Sequence, residues 1–345
     1  MESHTAEKID IRIKAEYLGA IKQIPYLCKA IQRAMPEKKV CIVCWDYSDR
    51  KLSYSDLVSK GLKREELSSE SIEIRQCGEG ATGEGVANLL LDFSTSLEVS
   101  YRRKTLSLPI DPLKFERRKT LSKEEVEELR EKYAPNTDRV ILGGSLRQDE
   151  GEPLVRAMAP LLKKKSNTKV LLVPRSWPND FSKGLDSFFQ TAGLENRDKF
   201  HVVTESGILE DLYSICDLAF VGDTINRGTG QNPLEPAFYG KPILYGGTYM
   251  CNKFAFKGLS RSGLLRATDG LEDLTQAIRN PLAGKELAEA QRKTSEFIDS
   301  MQGAADLYAQ LIKEVLDTEQ LDNKQGRKIE EFLETKYYQW DTAFN

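Results

Sequence analysis

From Asp138 onward, short apolar runs alternate with longer stretches in which apolar residues recur every three or four positions. The runs predict buried strands at Arg139–Leu142, Lys169–Val173, Phe200–Val203, Leu218–Val221, Pro242–Tyr245 and Leu264–Ala267. The longer stretches predict helices near Glu150–Lys164, Phe181–Ala192, Ile208–Ile215, Pro233–Tyr239 and Leu271–Arg279. Strands that alternate with helices in this way imply a doubly wound α/β domain around a mostly parallel sheet. Two further helical stretches, Gly284–Met301 and Ala304–Leu316, follow the last strand, and a charged tail carries another near Gly326–Tyr338.

The first hundred residues repeat the alternation more weakly. Ile9–Ile13, Lys39–Cys44 and Ser71–Arg75 read as strands, Glu16–Met35 as a helix, and Asn88–Phe93 as a buried strand or helix turn. Leu106–Lys119 carries Pro109 and Pro112 among basic residues, which is the composition of a linker. The expected partition is a small N-terminal α/β lobe over 1–110, a linker and helix over 111–137, a Rossmann-like lobe over 138–316, and a charged tail over 317–345.

Composition narrows the function classes. Lys and Arg number 50 against 53 Asp and Glu, a net charge of −3 over 345 residues, which excludes the strongly basic kind of nucleic-acid binder. With 40% hydrophobic and 30% charged residues the chain suits a soluble globular protein. No run reaches the ~18 apolar residues of a spanning helix, and the opening lacks a signal peptide's basic start and apolar middle, so the expected location is cytoplasmic. Of the six cysteines, only Cys41 and Cys44 are close, and in a strand residues three apart face opposite ways, so this CxxC reads as buried strand. Two histidines are too few for a histidine-based zinc site; no metal and no cofactor are expected.

In open α/β sheets ligands bind beyond the carboxyl ends of the strands. Three loops there carry candidate chemistry. Gly143-Gly144-Ser145 lets backbone amides approach a ligand, or simply makes a tight turn. Arg175, between Pro174 and Pro178, is placed for bidentate binding of phosphate or carboxylate, or is a surface arginine on a rigid loop. The segment Gly222 to Lys241 is the richest: Gly230 and Gln231 end a glycine-bearing loop, Asn232 can cap a helix, Pro233 fits its first position, and Gly240 ends it. Glu235 then lies in the first helical turn, where it offsets the dipole or accepts hydrogen bonds from a ribose diol, while the helix start attracts a phosphate. Together these residues favour a nucleotide site.

The stretch Gln231-Asn232-Pro233-Leu234-Glu235-Pro236-Ala237-Phe238-Tyr239-Gly240-Lys241-Pro242 resembles the H-N-P-L-E-P-A-A-x-G-K-P signature of bacterial 3-deoxy-D-manno-octulosonic acid (Kdo) transferases. Gly144-Ser145, Val173-Pro174-Arg175 and the stretch from Asp211 to Gly222 agree with that family in order and spacing. The resemblance covers roughly Tyr101 to Leu316. It implies a GT-B fold of two Rossmann-like lobes, here with a reduced N-terminal lobe, and metal-independent, inverting transfer of Kdo or a similar sugar from a CMP-linked donor to a lipid or glycan acceptor of lipopolysaccharide synthesis. By resemblance Arg175 contacts the donor's phosphate, Asn232 and Glu235 hold nucleotide and sugar, and Gly144 and Ser145 line the same pocket. Gln231, and Ser176 after the Pro-Arg pair, stand where the family commonly has His. C-terminal helices in that fold return to the N-terminal lobe, which is the expectation for this tail.

An inverting transfer needs a base for the acceptor hydroxyl, and the family places a Glu after its first strand. Glu16, after Ile9–Ile13, is the candidate; its plain reading is a first-turn Glu favoured by the helix dipole. The clusters Arg102-Arg103-Lys104, Arg117-Arg118-Lys119 and Lys163-Lys164-Lys165 offer contact with an anionic acceptor or the inner membrane face, or are solvated surface. The expected partner is a nucleotide sugar. The alternatives are a nucleotide-sugar epimerase and a non-catalytic nucleotide-sugar-binding protein.

Overall fold

The computed structural model describes residues 9–15, 21–45, 54–67, 72–77, 87–93, 97–101, 104–116, 121–162, 167–225, 228–321 and 323–343. The chain divides into two compact units, one of Met1–Arg118 with Asp299–Asn345 and one of Lys119–Ile298.

The first unit holds a six-stranded sheet in the order β3-β2-β1-β4-β5-β6, from β1 (Ile9–Ala15), β2 (Val40–Trp45), β3 (Ile72–Cys77), β4 (Ala87–Phe93), β5 (Leu97–Tyr101) and β6 (Lys104–Leu108). Strands β1 to β4 pair in parallel, with Ile11 opposite Val40 on one side and Leu89 on the other. The last two strands return as an antiparallel hairpin in place of further strand-helix units, so among the described residues the N-terminal lobe is reduced in helices rather than in strands. Alternation of buried and exposed residues along Leu97–Tyr101 is the period-two signal of a sheet with one covered face. That hairpin corrects the linker reading of Leu106–Lys119: Lys104–Leu108 is a strand, and Pro112, Leu113 and Phe115 of the short 3-10 helix Asp111–Glu116 are buried. A helix over Tyr54–Arg64 was not legible, and the helix expected over Glu16–Met35 runs from Ile24 to Ala34, with Pro25 in its first turn where its missing amide costs nothing.

The C-terminal boundary at 316 is also corrected. Helix Ala304–Thr318 buries Ala304, Ala305, Tyr308, Ala309, Leu311, Ile312 and Val315 in the core that contains Ile11, Ile13, Leu27, Ile31 and Leu91. Glu116 accepts hydrogen bonds from Gly303 N at 2.7 Å and Ala305 N at 3.2 Å, satisfying amides that this helix start leaves orphaned. Tyr308, fully buried, donates its hydroxyl to the Pro109 carbonyl. The tail helix Asn323–Ala343 adds Ile329 to the same core.

The second unit is continuous in sequence. Its sheet, all parallel, runs β12-β11-β10-β7-β8-β9, from β7 (Arg139–Leu146), β8 (Thr168–Pro174), β9 (Phe200–Val202), β10 (Leu218–Val221), β11 (Ile243–Tyr245) and β12 (Leu265–Ala267). This is the Rossmann order, and it reverses direction between β7 and β10. One core lies over each face: Leu154, Val155, Phe181, Leu185 and Ile278 on one, Leu142, Val173, Leu212, Tyr213 and Ile215 on the other. Cys41 and Cys44 are both buried in β2, and burial pushes the thiols of Cys28 and Cys216 up to about 12.

Candidate functional site

The crevice at a reversal of strand order is where such sheets bind ligands, and here the carboxyl ends of β7 and β10 meet at Gly144 and Val221. Glycine is needed on both strands. A Cβ on Gly144 would overlap the Tyr213 hydroxyl, and one on Gly222 would overlap the Ser145 carbonyl. The closeness lets Gly222 N reach Gly144 O at 2.8 Å. The sequence places Gly143-Gly144-Ser145 after the strand, but β7 continues to Leu146, because the register against β8 slips by a bulge at Ser145, whose φ is 54°. Beyond the bulge Arg175 N donates to Leu146 O at 2.9 Å, tying the loop after β8 to the end of β7.

The organiser of the site is Asp223, which the sequence reading left without a role. It follows Gly222 with φ 58° and its side chain is fully buried. Its carboxylate accepts from Arg147 Nη1 at 3.3 Å, Arg175 Nη1 at 3.3 Å, Gln231 Nε2 at 3.3 Å and the Thr229 hydroxyl. Burial pushes this carboxyl up, but the bonds from Thr229, Arg147 and Gln231 outweigh it and hold it below its ordinary value. Both arginine side chains remain 54% exposed. A guanidinium has five donors, so each keeps several for a ligand while Asp223 fixes its orientation.

A second buried carboxylate holds the backbone around this cluster. Glu150 accepts from Asp223 N at 2.7 Å, Thr224 N at 2.9 Å, Ile225 N at 3.0 Å and Arg147 N at 2.9 Å. It thereby pins the loop after β7 to the loop after β10. The only sequence signals for Arg147, Glu150 and Asp223 are their places just past β7 and β10.

The remaining expected residues follow the same loop. Gly230 N bonds Asp223 O at 2.7 Å and Gln231 N bonds Gly222 O at 3.2 Å, while Asn252 donates to the Gly230 and Gln231 carbonyls at 3.4 Å. The helix expected over Pro233–Tyr239 is a five-residue turn, Leu234–Phe238, capped at Pro233, one residue later than expected. Asn232 Oδ1 still accepts from Leu234 N at 3.1 Å. Glu235 sits in the first turn, half-buried, and its charge adds to the burial that drives the Tyr213 hydroxyl well above its ordinary value. Tyr213 itself lies against Gly144 of β7. Asp217, within the matched stretch, is structural: it accepts from Val140 N at 2.7 Å and ties β10 to β7.

Arg175, Gln231, Gly230, Gly144 and Ser145 therefore gather around one strand reversal, and Asn232 and Glu235 follow at the start of the short helix after it. Glu16 lies outside the described residues, as do Arg102, Arg103, Arg117, Arg118 and the cluster at 163–165. Among the described residues no group of three or more His, Cys, Asp and Glu is arranged to hold a metal ion, and no helix is long and apolar enough to cross a membrane. A cavity of about 570 Å³ beside Arg130, Asp138 and Asn167 lies at the opposite, amino end of the second sheet, away from this chemistry.

No family model matches the chain. It is 36% identical over 110 residues to the 3-deoxy-D-manno-octulosonic acid transferase of Aquifex aeolicus, covering 31% of each chain. It is 29% identical over 197 residues to the transferase of the same description from Haemophilus influenzae, covering 52% of this chain and 45% of that one. The chain spans under half the length of the curated relatives it matches. Among solved structures, HepE of Anabaena in complex with UDP and glucose superposes with a TM-score of 0.55 at 12% identity, covering 90% of this chain and 100% of that one. A glycosyltransferase from Rickettsia africae superposes with a TM-score of 0.50 at 14% identity, covering 90% and 99%. The chain is thus similar in sequence to Kdo transferases, and its two Rossmann-like units have the fold of GT-B glycosyltransferases.

Proposed function

We propose that this chain is a Kdo transferase-like glycosyltransferase that takes a nucleotide-activated sugar as donor. The observation that carries the reading is the pairing of Arg147 and Arg175 on one buried Asp223 at the strand reversal of the second unit. Two half-exposed guanidinium groups with a fixed orientation are suited to a phosphate linkage, and they neutralise the charge that develops on a departing nucleotide without a metal ion. Glu235 offers its carboxylate to a ribose diol. The sugar is Kdo or a related acid on CMP, and the acceptor an anionic lipid or glycan approached at the inner membrane face.

In this reading the transfer is a single displacement with inversion. Glu16 takes the proton of the acceptor hydroxyl as its oxygen attacks the anomeric carbon, the bond to the phosphate oxygen breaks, and the nucleoside monophosphate leaves against Arg147 and Arg175. The test is release of CMP from CMP-Kdo by the full chain, with and without lipid A precursor. Acceptor-dependent release with inverted product is the expected result, and Glu16→Gln should lower kcat by ~10²–10⁴ while leaving donor KM unchanged. Binding of the donor with no turnover on any acceptor would replace the transferase with a binding protein. Change of the sugar without an acceptor would indicate an epimerase.

A further inference from the structure

We infer that Trp177 is the platform on which the base of the donor nucleotide stacks, an inference that rests on the nucleotide-sugar reading above. Among the described residues Trp177 is the most exposed large hydrophobic side chain, at 74%. Its backbone is left-handed, φ 53° and ψ 54°, a region that Asn and Gly enter readily and a bulky side chain does not. An aromatic residue in such backbone ordinarily returns the cost by burying its ring in the core. This ring is not buried, so the fold itself gives no reason for tryptophan at this position.

The backbone around it is nevertheless rigid. Pro174 ends β8, Pro178 opens helix Pro178–Thr191, and the Trp177 carbonyl accepts from Asp180 N at 3.1 Å and Phe181 N at 3.0 Å. Phe181 is buried in the core of the second unit, so Trp177 is anchored from below while its indole stands in solvent. An exposed aromatic ring on a fixed backbone is preorganised: stacking on it orders little that was free before.

Its position names the ligand. Asp223, Arg147 and Arg175 follow β10, β7 and β8, three strands adjacent in the sheet, about 4.8 Å apart per strand. Trp177 lies two residues beyond Arg175, within ~7 Å along the chain, in the loop after β8. A cationic clamp with a planar apolar ring beside it is complementary to a molecule that carries an anionic phosphate next to a planar base, which is a nucleotide. Stacking of a base on an aromatic ring tolerates any base, so this contact supplies affinity, and selection among bases falls to other groups.

The test measures the Kd of CMP and of UDP for the full chain by calorimetry, in wild type, Trp177→Asn, Trp177→Phe and Arg175→Ala, each first checked for an unchanged thermal transition. Asn suits the left-handed backbone, so the fold is kept while the ring is lost. The expected result is nucleotide binding weakened roughly 5-fold to 100-fold in Trp177→Asn and restored to within about threefold of wild type in Trp177→Phe. Wild type should also lose tryptophan fluorescence on nucleotide addition, and Trp177→Phe should not. Unchanged affinity in Trp177→Asn, with Arg175→Ala weakened, would overturn the stacking role and leave the nucleotide site standing. If wild type binds neither nucleotide, the nucleotide-sugar reading and the stacking role fall together.

Discussion

The two sheets have the same strand order and reverse direction at equivalent places, between β1 and β4 in the first unit and between β7 and β10 in the second. Their linings differ. At the second reversal the last register position is Gly144 opposite Val221, and two glycines bring the backbones close enough for Asp223 to gather two arginines above them. At the first, the last register positions are Lys14 opposite Asp92 and Ala15 opposite Phe93, and Glu16 comes next in the sequence. The second reversal offers small residues and fixed cations, the lining that suits an anion; the first ends in a Lys-Asp and an Ala-Phe pair. The same strand order thus carries different residues at its two reversals, and what each reversal can bind is set by its end-of-strand residues rather than by the scaffold.

The units also differ in how they are closed. The second is built from one continuous stretch, whereas the first draws helix Ala304–Thr318 from the far end of the sequence into its core. The largest effect should therefore follow from breaking that return. Tyr308→Ala removes a fully buried ring and its bond to Pro109, a change that typically costs ~3–5 kcal/mol. Amide exchange should accelerate across β1 to β6 and remain slow across β7 to β12. Equal acceleration in both sheets would mean that the cores are coupled, contrary to their separate contact clusters.

A smaller effect should mark the lining of the second reversal. Arg175→Ala or Glu235→Ala should weaken nucleotide binding by roughly tenfold to a hundredfold, since a charge-assisted contact is typically worth ~1.5–3 kcal/mol. Loss of Arg175 leaves the buried Asp223 carboxylate with its bonds from Arg147, Gln231 and Thr229, so the fold should be retained in Arg175→Ala, and the readout is affinity rather than stability. Unchanged affinity in both variants would leave the two reversals with no functional difference to explain.

Much of the second unit was legible because its strands are buried on both faces and read as unbroken apolar runs: Leu218–Val221 has the same limits in sequence and structure. The first unit was harder. The alternation Leu97-Glu98-Val99-Ser100-Tyr101 marks a half-covered strand, but Pro109 and Pro112 nearby drew the reading of Leu106–Lys119 toward a linker. Periodicity shows that Ala304–Leu316 has an apolar face; it does not say which core receives it, so that helix was placed in the wrong unit. In the site, Arg175, Asn232 and Glu235 stood out by residue type next to proline and helix starts. Asp223, Arg147 and Glu150 did not, since a buried carboxylate that organises a loop has no pattern along the chain; its role exists only once strands β7, β8 and β10 are side by side.

The central claim is that the carboxyl edge of the second sheet, rather than any other surface, receives the nucleotide. Hydrogen exchange of the full chain with and without saturating CMP or UDP tests it most directly. The account predicts slowed exchange at residues 143–147, 174–177 and 222–235, with the amide protons of the remaining described residues unchanged. Protection confined to the first unit, or to the cavity beside Arg130 and Asn167 at the other end of the second sheet, would contradict it.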